Sequence, residues 1–138
     1  MASTLVGKVE IAYEEFGLPG DPALILVAGL GTQMYFFEDD FVHGLVDRAF
    51  RVIRFDNRDA GLSSKFDNSP VELQEVLTAV ETGKAIKLPY SIREMAADIV
   101  ALLDHLDIKY AHLLGNSLGG MICQDFAVYF AERVCSLT

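Results

Sequence analysis

The chain predicts an α/β fold, a mostly parallel sheet flanked by helices, and three observations carry that expectation. Residues 23–28 (ALILVA) and 50–55 (FRVIRF) are dense apolar runs, as strands buried on both faces of a parallel sheet read. Stretches with helical apolar spacing alternate with such runs. A serine flanked by glycines, Gly115-Asn116-Ser117-Leu118-Gly119-Gly120, lies where a strand-like run passes into a helical one.

Taken in order, residues 4–10 and 11–16 read as two short strands, an antiparallel entry to the sheet. Residues 18–22 (LPGDP) form a turn. The strand over 23–28 follows, then a loop, GLGTQ. Phe41, Val42, Leu45 and Val46 mark a helix over 38–48, and 50–55 is the next strand. Residues 57–89 are long for a connection. Within them Ser69-Pro70 reads as an N-cap with proline at the first helical position. Val71, Leu73, Val76, Leu77 and Val80 continue that short helix, and Gly83 ends it. The segment lies where a lid could form, or where a helix could cover core. Ser91 and Glu94 make a capping box, with Tyr90 stapled on Met95. Ile92, Met95, Ala96, Ile99, Leu103 and Leu106 form the buried stripe of that helix. Residues 110–115 read as a strand and 118–134 as the last helix. Met121, Ile122, Cys123, Phe126, Ala127, Val128, Tyr129 and Phe130 make this helix apolar on most sides, so it expects burial on most sides.

A length of 138 residues fits one domain, residues 1–138. The net charge of −9 speaks against nucleic acid and anionic membrane surfaces as partners. No run reaches the roughly 20 apolar residues of a membrane span. The N-terminal MASTLVGKVE lacks the pattern of a secretion signal. A cytoplasmic location is therefore expected. Cys123 and Cys135 fall in one predicted helix, 12 positions apart, and are expected to stay reduced. No Cys/His spacing suggests a metal, and no cofactor is expected.

Gly115-Asn116-Ser117-Leu118-Gly119 fits G-x-S-x-G. That pattern puts a nucleophilic serine on a sharp strand-to-helix turn, where larger neighbours would collide. The hydroxyl then stands at a helix N-terminus, whose dipole and free N–H groups favour a developing oxyanion. A plain glycine-rich turn has the same pattern, so placement between strand and helix matters.

LILVAGLG, VIRFDNRDAGLSS, PYSIREMAADIVALLDHLDIKYAHLLGNSLGGMICQ and ERVCSLT occur together in this chain. In combination they resemble the N-terminal half of an α/β-hydrolase, similar to the bacterial esterase-like group of aclacinomycin methylesterases. The resemblance implies a truncated, half-size α/β-hydrolase fold. It implies Ser117 as nucleophile, with the N–H groups of Leu118 and Leu30 as the oxyanion hole. The loop Ala28-Gly29-Leu30-Gly31 keeps the family's glycines, Gly29 and Gly31, but lacks its histidine. Gly115, Gly119 and Gly120 support the elbow. Residues 56–63 resemble the family's D-x-R-G-x-G-x-S turn, with Asp59 in place of the usual glycine. Asp56 is read as a carboxylate that orders turn amides, and Arg58 as a tie between loops.

In this fold the acid and the histidine follow the serine. All three histidines here precede Ser117. His112 is five positions back on the same strand, roughly 16 Å away. His105 ends the preceding helix. His43, inside the first helix, is the nearest candidate base and a poor one by position. The chain stops where a next strand would begin, leaving the serine strand as an exposed edge. That predicts a homodimer or larger homo-oligomer through that edge, or a missing half. The leading reading is a serine hydrolase of carboxylic esters or related acyl compounds, with a small-molecule acyl substrate. The alternative is a non-catalytic half that dimerises or needs a complementary chain. Leu30, Met34, Tyr35, Phe36 and Phe37 are candidates to line an acyl pocket or to pack in the core, the core being the favoured place for Phe37.

Overall fold

A computed structural model describes residues 2–66 and 73–138. Six strands form one sheet in the order β1-β2-β4-β3-β5-β6. The strands are β1 (Ala2–Val6), β2 (Val9–Phe16), β3 (Ala23–Val27), β4 (Arg51–Phe55), β5 (Ala111–Gly115) and β6 (Val134–Leu137). The helices are α1 (Asp39–Val46), α2 (Leu73–Thr82), α3 (Ile92–His105) and α4 (Leu118–Tyr129). β1 and β2 enter antiparallel, and β4, β3, β5 and β6 run parallel.

The first hairpin turns earlier than expected. Val6 pairs with Val9 around Gly7, whose φ of +61° suits glycine. Without a turn residue near Glu10, β2 runs unbroken to Phe16.

β3 and β4 are buried at every residue, as their composition requires. One face carries α3 and α4: Met95, Ala96, Ile99, Leu102 and Leu103 join Ile122, Cys123 and Phe126 over Ile25, Val27, Ile53 and Phe55. The other face carries α1, whose Val42 packs with Leu24, Leu26 and Val52. The α3 start has the full capping box: Glu94 N–H donates to Ser91 Oγ and Ser91 N–H to Glu94 Oε2. Among the described side chains of α2 none joins either cluster, and Leu77 and Val80 are exposed. The expected cap Ser69-Pro70 and Val71 lie outside the described residues.

The last helix is shorter than its composition suggests. Phe130, with φ −133° and ψ 42°, leaves the helix. Arg133 then donates to Lys109 O (2.6 Å), Ile108 O (3.0 Å) and Asp104 Oδ1 (2.7 Å), tying the chain to the loop before β5. Val134–Leu137 is thereby laid along β5 as β6. This corrects two expectations. The serine strand is interior, between β3 and β6, so the free edge belongs to β6. Cys135 lies on β6 and is exposed, whereas Cys123 in α4 is buried; both are free thiols. The outer face of α4 is open, with Met121 56%, Val128 69% and Tyr129 53% exposed.

Candidate active site

The turn between β5 and α4 is tied to its neighbour strand. Asn116 N–H donates to Val27 O at the end of β3 (3.0 Å). Ser117 then takes φ 55° and ψ −119°. A non-glycine residue in such a conformation costs on the order of 1–3 kcal/mol, so the surroundings must over-determine it. Gly119 N–H donates to Asn116 O (2.8 Å) and Gly120 N–H to Ser117 O (2.9 Å), starting α4 immediately. The Ser117 side chain makes no capping hydrogen bond among the described residues and is exposed at the N-terminus of α4.

The elbow glycines differ in what they permit. A Cβ on Gly115 would lie 2.5 Å from Gly119 O. One on Gly119 would run into Val27 O and lie 2.7 Å from Val27 C. One on Gly120 would meet Gly115 O at an ordinary 3.4 Å. Close approach of helix to sheet therefore rests on Gly115 and Gly119.

The loop after β3 reaches the same place. A Cβ built on Gly29 would lie 3.3 Å from Ser117 Cβ and 3.3 Å from Asn116 O, so this backbone touches the elbow. Thr32 donates to Gly29 O twice, from N–H (3.3 Å) and from Oγ1 (2.8 Å). In a trans peptide the next N–H, that of Leu30, points the opposite way. Neither Leu30 N–H nor Leu118 N–H has a hydrogen-bond partner among the described residues. Gly31 has φ +69° and open space around it, so its role is conformational.

Beneath this loop, Asp56 is 1% exposed. Its Oδ1 accepts from Met34 N–H (2.7 Å) and its Oδ2 from Leu62 N–H (2.8 Å), joining two loops. Gly61 packs so tightly on this carboxylate that no Cβ fits there. Arg58 forms a buried two-pronged pair with Asp98 of α3, Nε to Oδ2 and Nη2 to Oδ1, each 2.7 Å. Its guanidinium also lies over Tyr90 (5.1 Å) and Phe66 (5.6 Å). Burial raises the Asp98 carboxyl above its ordinary range, against the pull of Arg58. Asn57 Nδ2 donates to Ala28 O (3.0 Å). Asn57, Arg58 and Tyr90 border a cavity of about 350 Å³, whose wall also includes Leu30, Leu118, Leu88, Ile92 and Met95.

A model of the alpha/beta hydrolase fold matches residues 22–138. The chain belongs to the α/β hydrolase family. It is 35% identical to a rhodomycin D methylesterase of Streptomyces peucetius over 95% of this chain and 38% of that protein. It is 34% identical to a 3-oxoadipate enol-lactonase of Acinetobacter baylyi, over 91% of this chain and 39% of that one. A solved hydrolase from Pseudomonas aeruginosa superposes with TM-score 0.78 at 28% identity, covering 99% of this chain and 43% of the other. The chain thus spans about two fifths of the length of these relatives.

No histidine of this α/β hydrolase chain is placed near Ser117. His43 rests edge-on against Phe16 (5.8 Å), and Phe16 pairs with Val52 near the start of β4. That is the end of the sheet opposite Ser117, because α1 descends from the sheet's C-terminal edge. His43 is thereby removed as a base for Ser117. His112 Nδ1 lies 2.8 Å from Ser136 Oγ, and His105 Nε2 lies 3.1 Å from Tyr13 Oη. Among the described residues no three His, Cys, Asp or Glu side chains gather as for a metal.

Met34 and Phe37, expected either at a pocket or in the core, are core residues. Tyr35 lies over Arg54 (4.9 Å). Of the five residues expected, only Leu30 borders the cavity. Asp98 and the lining residues Leu88 and Asn57 escaped sequence reasoning. Asp98 left a readable signal: it sits three positions after Met95, on the apolar stripe of α3, where a carboxylate needs a buried partner.

Proposed function

We propose that this chain carries the nucleophile and the oxyanion site of a serine hydrolase for carboxylic esters or related acyl compounds. Ser117 Oγ attacks the carbonyl carbon, and the carbonyl oxygen takes the negative charge between the N–H groups of Leu30 and Leu118. Collapse of that intermediate forms the acyl-serine and releases the alcohol. Water then cleaves the acyl-serine. The base that takes the Ser117 proton, and the acid that orients it, come from outside these residues. The carrying observation is the strained, uncapped Ser117 beside Gly29, with two unpartnered N–H groups nearby. The two relatives, a methylesterase and an enol-lactonase, support the ester class, since a lactone is a cyclic ester.

Intact-mass analysis after prolonged exposure to a fluorophosphonate probe tests this. Oxyanion stabilisation alone can leave roughly 10³–10⁴-fold rate enhancement over water, so slow labelling is expected. One adduct that disappears in Ser117→Ala supports the proposal. A folded chain that stays unlabelled, or labels equally in the variant, defeats it. A second reading has its own observations: the open α4 face and the β6 edge suit a half that works only against a complementary surface. Sedimentation at several concentrations would reveal self-association there, and labelling that accelerates with it would favour a second copy of this chain.

A further inference from the structure

We infer that Asp59 is a specificity-determining residue, which makes the cavity beside Ser117 accept an uncharged apolar group and reject a carboxylate. The inference rests on the assignment of Ser117 and its oxyanion groups, because it describes what lies next to them. It does not follow from the family, whose usual residue at this position is glycine.

The cavity wall is apolar over most of its extent: Leu30, Leu88, Ile92, Met95 and Leu118 border it. Its charged lining residues are Arg58 and Asp59. Arg58 is held in an ion pair with Asp98 rather than left as an unbalanced cation. Both prongs of its guanidinium are taken by Asp98, and Nη2 also reaches Glu94 O (3.3 Å). Its positive charge is cancelled within the pair. Asp59 has no such cation. Its Oδ1 accepts from Phe66 N–H (2.6 Å), which holds the carboxylate without neutralising it. The lining therefore carries one uncompensated negative charge among the described residues. Burial, and then a hydrogen bond to the Asp59 carboxylate, push the Tyr90 phenol up to about 12.

Asp59 also has φ +66°, a conformation that glycine adopts without strain. Aspartate tolerates this conformation because its short polar side chain hydrogen-bonds locally, here with Phe66 N–H.

Two unreactive ligands of equal length separate charge from shape. 2-Octanone presents a carbonyl with a six-carbon apolar tail. 7-Oxooctanoate is the same molecule with a carboxylate in place of the terminal methyl. Binding to the whole chain is followed by protein-observed NMR titration, so the readout does not depend on catalysis. The chain's net charge of −9 repels anions from every direction, so the substitution, not the wild-type ratio alone, is decisive. Asp59→Asn keeps an oxygen for Phe66 N–H and tolerates positive φ. It is expected to cut the preference for the ketone by roughly 3- to 10-fold, through tighter binding of the keto acid with the ketone unchanged. Asp59→Gly, which also suits positive φ, is expected to do the same and covers the case where the asparagine variant fails to fold. An unchanged ratio in the folded variants would overturn the inference, as would failure of both ligands to bind the wild type. Either failure leaves fluorophosphonate labelling of Ser117 untouched, so the two readings fall separately.

Discussion

The contact between α4 and β3 can be tested by adding one methyl group at either of two neighbouring glycines. A Cβ on Gly119 would collide with Val27 O and sit 2.7 Å from Val27 C and 2.8 Å from Ala28 O. Carbon–carbon contacts settle near ~3.5 Å, so α4 must retreat from β3 by about 1 Å. The obstacles are backbone atoms of a fully buried strand, which cannot rotate aside. Overpacking ordinarily costs about 1–3 kcal/mol, and with rigid obstacles the upper end applies, about 3 kcal/mol. For a chain of this size that corresponds to a fall in Tm of roughly 10 °C. At Gly120 the same methyl meets Gly115 O at 3.4 Å, an ordinary contact. Helix propensity favours alanine there by up to about 1 kcal/mol, so Gly120→Ala should be neutral or slightly stabilising. Thermal and urea unfolding followed by circular dichroism reads both. Gly119→Ala within about 1 kcal/mol of wild type, or Gly120→Ala as damaging as Gly119→Ala, would refute the account of how the elbow is held.

Removing one partner of the Arg58–Asp98 pair strands a buried charge. Asp98→Ala should cost about 3–5 kcal/mol in urea unfolding, and replacing both residues with apolar ones should recover most of it. Ser91→Ala should cost about 1 kcal/mol at neutral pH. Hydrogen bonds from Ser91 hold the Glu94 carboxyl below its ordinary value. Its contribution is therefore present above the unfolded-state value and lost as pH falls through the folded-state one, so the Ser91→Ala penalty should shrink in acid. A thiol reagent should modify Cys135 at once in the native chain. Cys123, buried and with its thiol pushed up to about 12, should react only after unfolding.

The legible parts of this chain were those where one local cause decides. The apolar runs of β3 and β4, the Ser91–Glu94 box and the glycines around Ser117 each state their structure in a few residues. Placement of α4's end is not legible, because no glycine or proline lies between Tyr129 and Val134 to stop the helix. The helix stops because Arg133 is held by Asp104 near the end of α3 and by two carbonyls of the loop before β5, a long-range cause. The same error moved Cys135 into a helix and made the serine strand an edge. Met34 and Phe37 stay open between two readings for a related reason: apolar side chains next to a reactive loop suit a pocket or a core, and here Asp56 draws the Met34 backbone inward. That all three histidines precede Ser117, in contrast, is read directly from the chain.

The central claim is that these residues hold a nucleophile and its oxyanion site but no base. The most direct measurement is product release from p-nitrophenyl acetate, with the acetylated residue located by peptide mass mapping. The account predicts slow release of at most one equivalent of p-nitrophenol per chain, with the acetyl group on Ser117 and none in Ser117→Ala. Sustained turnover by the chain, or acetylation that does not involve Ser117, would contradict it.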